Sequence, residues 1–484
     1  MTGDHPLLVT SKDKPLIVDL DGTLIRTDLL YESLLLLVRE KLYFLFLLPY
    51  WLFRGKAHLK RMLTRCTTIS VQTLPYHQEL LVWLKQQRDH GRYLVLCSAS
   101  DSLNVQLVAQ HLGIFDEVIA SDGLVNLAGA HKAAELVRTF GAKGFDYVGN
   151  SSDDLHVWAQ AHAGIVVNAS ERVLKKAQQI IPIVQIFQSP QIELNDCLRV
   201  LRAHQWVKNI LLFIPLLAAH VLITLELTQH MLLAFLSFSL CASAVYITND
   251  LLDLESDRQH PRKYKRPFAS GKIPIWNGLV LAPILLLSSI TIGVLVSQEF
   301  TVCLLIYFGL TCAYSFFLKR VALLDCMVLA ILYTLRIVAG AIAAEVPLSF
   351  WLLSFSVFLF LSLAFIKRYA ELYSSEKIDG EKINGRGYMT SDQSLIQQMG
   401  VSSGFAASLL LALYLNSENV ARLYHKPEII WASIPLILLW LSRMWLKAHR
   451  GLMHDDPILF AIKDKASLLI GVLFVGVFYL ATLL

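Results

Sequence analysis

Hydrophobic and polar positions divide this chain of 484 residues into two unlike parts. From about Leu211 onward, apolar runs of spanning length recur near 209–224, 231–248, 276–297, 300–317, 322–344, 349–366, 399–416, 428–446 and 467–484. Crossing bilayer hydrocarbon takes about 20 largely apolar residues, so these runs predict an all-α polytopic bundle of about nine membrane helices. Residues 1 to about 188 instead mix apolar and polar positions as a soluble domain does. There, Pro15-Leu-Ile-Val-Asp-Leu-Asp-Gly-Thr-Leu24 predicts a buried strand ending in two alternating aspartates and a glycine turn. Asp19 and Asp21 then point out at the strand's carboxyl end, where open α/β sheets bind ligands. The stretch 34–53 is ambiguous, being apolar but interrupted by Arg39, Glu40 and Lys41. Consecutive charges are costly in hydrocarbon, so a cap helix lying on the membrane surface is expected rather than a span. The expected division is 1–190 and 191–484.

Composition sharpens this picture. Charged residues make up 17% of the chain, against about 25% in soluble domains. The net charge of +5 is modest, and no nucleic-acid partner is expected. Seven cysteines without paired spacing or a CxxC argue against a disulfide framework or structural zinc. Residues 1–14 are polar, so no cleavable leader is expected. Basic residues fall in alternate loops: Arg258 to Lys272, then Lys319 and Arg320, then Lys367, Arg368, Lys377, Lys382 and Arg386, then Lys447 to Lys465. The remaining connections carry almost none, Arg422 and Lys426 excepted. The positive-inside rule makes the basic loops and the amino-terminal domain cytoplasmic, in a multi-pass protein of the cell inner membrane.

The same face also carries acids. The second run ends in Asn249-Asp-Leu-Leu-Asp-Leu-Glu-Ser-Asp257, and a continuing helix would stack Asp250, Asp253 and Asp257 on one face. Three such carboxylates repel one another unless a cation joins them, and hard oxygen ligands suit Mg²⁺ with a substrate's phosphate oxygens. His260-Pro-Arg-Lys-Tyr-Lys-Arg-Pro267 follows, offering Lys263 and Arg266 to the remaining oxyanion charge.

This pattern resembles the UbiA superfamily of intramembrane prenyltransferases over roughly residues 195–484. Arg202-Ala-His-Gln-Trp-Val-Lys-Asn209 and Tyr314-Ser-x-x-Leu-Lys-Arg320 support it. The aromatic prenyltransferases of that superfamily carry a second acidic motif near the end of the sixth span. Here that place reads Lys367-Arg-Tyr-Ala-Glu-Leu372, with only Glu371 acidic. With the basic loop, this looks like the polyprenyl-phosphate phosphoribosyltransferase branch. The resemblance implies transfer of 5-phosphoribosyl from phosphoribosyl diphosphate to a polyprenyl phosphate. The catalytic aspartates would be Asp250, Asp253 and Asp257, with Mg²⁺ as cofactor. Asn249, Tyr314, Lys367, Arg368 and Glu371 would border the substrates. Lys208, Lys319 and the intramembrane Arg336 are candidates for the lipid phosphate, since a charge inside a span is costly without a polar partner.

The amino-terminal part resembles the haloacid dehalogenase-like phosphohydrolases over about residues 12–185, implying a Rossmann-like α/β domain with a helical cap. Its motifs come in order: Asp19-Leu-Asp21, Tyr93-Leu-Val-Leu-Cys-Ser98, Lys132, and Tyr147-Val-Gly-Asn-Ser-Ser-Asp-Asp154. The resemblance implies Asp19 as nucleophile and Asp21 as acid/base, Ser98 and Lys132 on the phosphate, and Asn150 and Asp154 completing a Mg²⁺ site. Asn150 stands where the family usually has aspartate, which lowers the expected metal affinity. The fused domain would then remove the product's 5-phosphate. The alternatives are an aromatic prenyltransferase using a prenyl diphosphate, a phosphatase fold kept as scaffold or sensor, and a transporter. Oligomeric state, a homo-oligomer included, stays open.

Overall fold

The computed structural model describes residues 14–188, 191–219, 224–376, 387–416, 424–453 and 456–483. The predicted loop residues Lys377, Lys382, Arg386 and Arg422 lie outside them. By internal packing the chain falls into two compact units, the described residues up to Leu201 with Ile247–Leu281, and Arg202–Tyr246 with Ala282 onward.

In the first unit six parallel strands take the order β3-β2-β1-β4-β5-β6. They are β1 (Leu16–Asp19), β2 (Leu94–Asp101), β3 (Glu117–Ser121), β4 (Asp146–Gly149), β5 (Gly164–Val167) and β6 (Ile183–Phe187). Parallel strands covered on both faces read as continuous apolar runs, and β1 is buried at every position. Leu16 and Val18 join one core and Ile17 the other, so the two faces of β1 serve separate clusters. The strand order reverses beside β1, which places the end of β1 at the switch point where such sheets bind ligands.

The cap lies between β1 and β2. Helix Leu29–Glu40 is capped by the Asp28 carboxylate on the Leu30 amide, and a 3₁₀ turn Leu42–Leu47 and helices Leu48–Phe53 and Lys56–Cys66 follow. The single surface helix expected over 34–53 is thus broken in the middle, with Lys41 as the breaking residue donating to the Cys66 carbonyl at 2.8 Å.

Eight helices among the described residues are long and apolar enough to cross a membrane, from Leu225–Leu252 to Lys465–Leu483. Nine were expected, and the difference lies at the first run. Residues Ala203–Phe213 form a 3₁₀ stretch and Ile214–Ala218 a short helix. The 3₁₀ stretch sits against helix Leu324–Ala343 because of Gly340, where an added Cβ would fall 1.9 Å from the Leu212 carbonyl oxygen. Helix pairs inside this unit use small polar residues in place of a hydrophobic drive. Ser289 donates to the Ser237 carbonyl at 2.6 Å and Ser237 returns a bond to the Ser289 carbonyl at 2.8 Å.

Candidate functional sites

The aspartate segment belongs to the first unit. Helix Leu225–Leu252 stops just past Asp250, Asp253 leaves helical geometry (φ −100, ψ 15), and Asp257 rides on a separate helix, Leu254–Gln259. Helical bonding still crosses this bend, the Asp253 amide donating to the Asn249 carbonyl at 2.9 Å and the Asp257 amide to the Asp253 carbonyl at 2.8 Å. Asp250 and Asp257 converge on one side, where the Arg266 guanidinium bonds both, at 3.0 Å to Asp250 and more closely to Asp257. Lys263 Nζ stands 3.9 Å from Asp257. Asp250 and Asp257 are 5% and 2% exposed, so their repulsion is offset by that shared cation rather than by water. Burial raises the Asp257 carboxyl while Arg266 pulls it down. Asp253 and Asn249 border this pair, half-buried.

The amino-terminal helix braces the segment. Arg258 bonds Glu32 with both terminal nitrogens, at 2.6 and 3.2 Å, and donates its Nε to the Ala269 carbonyl at 3.0 Å. Thr27 adds a bond to Glu32 at 2.7 Å, Trp276 packs against Tyr31 at 5.9 Å, and Lys272 reaches Asp196 at 2.6 Å.

At the carboxyl end of β1, Asp19 accepts from Lys132 at 2.6 Å and from Thr23 at 2.9 Å. Asp21 accepts from Ser98, Ser100 and the Leu29 amide at 3.0, 2.7 and 2.9 Å. Asp154 lies 3.8 Å from Lys132 and takes bonds from Tyr147 and from the Asn150 and Ser151 amides. All the residues expected from the phosphohydrolase motifs thus surround one point. Gly22 (φ +75) permits the closeness: a Cβ there would meet the Asn150 amide nitrogen at 2.1 Å. Burial pushes the Asp19 carboxyl up to about 7 against the pull of Lys132. Burial alone would also strip Lys132 of its proton, but Asp19 and Asp154 hold it charged.

Two participants went unpredicted. Lys60, from the cap, donates to the Ala99 carbonyl at 2.6 Å and feels the charges of Asp21 and Asp28. Burial, with Asp21 nearby, raises the Asp28 carboxyl to about 7. A motif reading cannot find Lys60, because nothing in the sequence says where the cap folds back.

The second unit gathers three of the expected cations around Tyr333. Lys208 and Arg336 lie 5.6 and 5.4 Å from its ring centre. Lys208 and Lys367 share the Asp456 carboxylate at 2.9 and 3.5 Å. Arg336 also bonds Asn209 at 3.0 Å and the Tyr307 hydroxyl at 2.8 Å. Arg368, expected as a further substrate cation, is fully buried and bonded to Asp325 and Glu371. Tyr314 and Lys319 are half-buried near the end of helix Gln298–Phe316 and in the 3₁₀ turn after it. Asp456 was missed: its connection also holds Asp455 and Asp464, and nothing in the sequence singles it out from them. Burial would raise its carboxyl, but Lys208 and Lys367 reverse this and hold it below the usual carboxylate range. Asp456→Ala should lower the thermal midpoint in detergent by the equivalent of about 3 kcal/mol, since it strands buried ammonium groups. Inorganic diphosphate should recover part of that loss by replacing the carboxylate, and an unchanged midpoint would remove the pairing from the energetics.

Among the described residues no three His, Cys, Asp or Glu side chains converge as a metal cluster. The donor chemistry nonetheless fits Mg²⁺ at both centres. Asp250 and Asp257 are buried oxygen donors already sharing a cation, and the Arg266 side chain, 29% exposed, has room to withdraw. Asp19 and Asp154 likewise crowd one buried ammonium.

Residues 210–451 match the UbiA prenyltransferase family, and residues 16–158 match the haloacid dehalogenase-like hydrolases. Uncharacterized protein y4nM of Sinorhizobium fredii is 37% identical over 96% of this chain and 91% of its own length. Decaprenyl-phosphate phosphoribosyltransferase of Mycobacterium tuberculosis is 35% identical over 40% of this chain and 65% of that protein. A solved UbiA homolog from Archaeoglobus fulgidus, bound to GPP and Mg²⁺, aligns with 60% of this chain and 100% of its own at 17% identity and a TM-score of 0.46.

Proposed function

Since the chain belongs to the UbiA prenyltransferase family, as a multi-pass membrane protein with a fused haloacid dehalogenase-like domain, we propose that it transfers 5-phosphoribosyl from phosphoribosyl diphosphate to a polyprenyl phosphate. The carrying observation is the Arg266 clamp on Asp250 and Asp257, which unites acid and base in one small volume. A sugar diphosphate needs both: carboxylates that take a metal and cations that take oxyanions. The name of the mycobacterial relative supports the choice of donor and acceptor.

Mg²⁺, held by Asp250, Asp253 and Asp257, would supply charge withdrawal from the departing diphosphate. Arg266 and Lys263 bind the oxyanions that it leaves uncovered. The bond from the anomeric carbon to diphosphate breaks, and a lipid phosphate oxygen forms the new one. The nucleophile is already an anion, so no general base is required, and the protein contributes positioning and electrostatics. Lys208, Lys367 and Arg336 are the cations for the second anion. Basic loops on one side orient this chemistry to the cytoplasm.

The product carries a terminal 5-phosphate, and the Asp19 centre is the proposed means of its removal. Asp19 attacks phosphorus, Asp21 delivers a proton to the leaving oxygen, and water then releases inorganic phosphate. Ser98 and Lys132 hold the phosphate, and Asn150 and Asp154 would join Asp19 around Mg²⁺. Tethering both centres on one chain raises their effective concentration for one lipid.

Supplying labelled phosphoribosyl diphosphate or a labelled prenyl diphosphate to the reconstituted protein, with and without Mg²⁺, tests the first step. Label entering lipid only from the prenyl donor would replace the reading with prenyl transfer. For the second step, Asp19→Asn should accumulate lipid-phosphoryl-ribose that keeps its 5-phosphate. Identical products from both proteins would discard the phosphatase role.

A further inference from the structure

The cap has two ends with opposite characters. At its inner end, helix Lys56–Cys66 sends Lys60 to the Ala99 carbonyl and Arg61 to Asp101 at 2.8 Å. Its own small core holds Leu37, Trp51 and Leu63. Among the described residues the outer turn has no such cover: Phe46 is 87% exposed, Phe53 90% and Tyr43 66%, with Tyr50 and Leu52 both above half. Single exposed apolar residues are ordinary on protein surfaces, but five large ones within an eleven-residue stretch make a patch.

Charge says what covers it. No Asp or Glu occurs between Glu40 and Glu79, while Lys41, Arg54, Lys56, Lys60, Arg61 and Arg65 do. Lys41, Lys60 and Arg61 are turned to internal partners, whereas Arg54, Lys56 and Arg65 are exposed beside the aromatic turn. Aromatic tips with a rim of bases suit a membrane interface, where rings enter the headgroup layer and cations meet anionic lipid. A bilayer is already present, because the same chain spans it. We infer that the turn 42–53 inserts Phe46 and Phe53 into the anionic headgroup layer of the membrane that the chain spans.

One consequence rests on the proposed phosphatase reading. With the aromatic tips in lipid and Lys60 beside Asp21 and Asp28, the cap selects phosphate monoesters carried on a lipid over soluble ones.

The test uses the full chain in nanodiscs of phosphatidylcholine with or without phosphatidylglycerol. Cys66, Cys197 and Cys312 are replaced by alanine, and a polarity-sensitive fluorophore is placed at F46C, F53C or, as control, V82C on helix Gln78–Asp89. Insertion predicts blue-shifted emission at 46 and 53 but not at 82, quenching by acyl-chain doxyl lipids, and a larger shift with phosphatidylglycerol. Emission at 46 and 53 as water-like as at 82 overturns the inference. So does a shift that survives in detergent and grows with protein concentration, which would mean a second copy. Separately, Phe46→Ser with Phe53→Ser should slow hydrolysis of a lipid-borne phosphate severalfold and leave a soluble phosphate ester unaffected. Inserted probes with neither ester hydrolysed would sink the phosphatase reading and leave the docking intact.

Discussion

Asp250→Asn is expected to lower transfer by about 10²–10³-fold while leaving the protein folded. The substitution keeps shape and removes charge. In the resting protein Arg266 retains Asp257 as a partner, so the loop is not left with an unpaired guanidinium. What disappears is one of two buried anionic donors facing the cation position. A loss of that size is about 3–4 kcal/mol of barrier, far above the effect of a surface charge. Asp253→Asn should act in the same direction. Transfer assayed in lipid, with size exclusion and circular dichroism as controls for folding, decides the matter. Full activity in both variants would remove the aspartates from the chemistry.

Arg258→Ala is the second large effect, and it acts through structure. Both members of the Arg258–Glu32 pair are 7% exposed at the side chain, and Glu32 takes two bonds from Arg258 and one from Thr27. Removing one member of a buried pair leaves the other charged and unpaired, at a cost of about 3–5 kcal/mol. The segment that carries Arg258 also carries Asp257 on the same short helix and Arg266 just beyond it, so transfer should fall along with the thermal midpoint. Glu32→Gln combined with Arg258→Met should recover much of the midpoint, since neither charge is then stranded. Recovery of stability without recovery of transfer would assign the pair a positioning role. Unchanged midpoint and activity in Arg258→Ala would show that the amino-terminal domain does not brace the loop.

Local signals made the gathering of side chains around Asp19 readable. Asp19 and Asp21 sit on one strand end, and Ser98, Lys132 and Asp154 follow on elements whose order the parallel sheet dictates. The spacing of Asp250 and Asp257 made their shared side readable, but not the reach of Arg266 back across both. Nor does a periodicity of 3.6 anticipate the bend at Asp253. Apolar length likewise does not give conformation: the first run is apolar enough to cross, yet Ala203–Phe213 winds as 3₁₀ against a neighbouring helix. Arg368 shows the limit for charges. Sequence marks it as a cation near a site, whereas its role depends on Asp325, more than 40 positions away and met only after folding.

The seat of Leu212 on Gly340 also has a consequence in time. Asn209, three residues before Leu212, bonds Arg336 across 127 positions, so this stretch meets its final partner only after the fifth apolar run has been made. At about 5–20 residues per second of synthesis, that delay is on the order of 6 to 25 s. For that interval the segment carrying Lys208 and Asn209 waits without its final partner. A slower or paused translation between these two points should prolong its exposure to proteases, with no change in the finished protein.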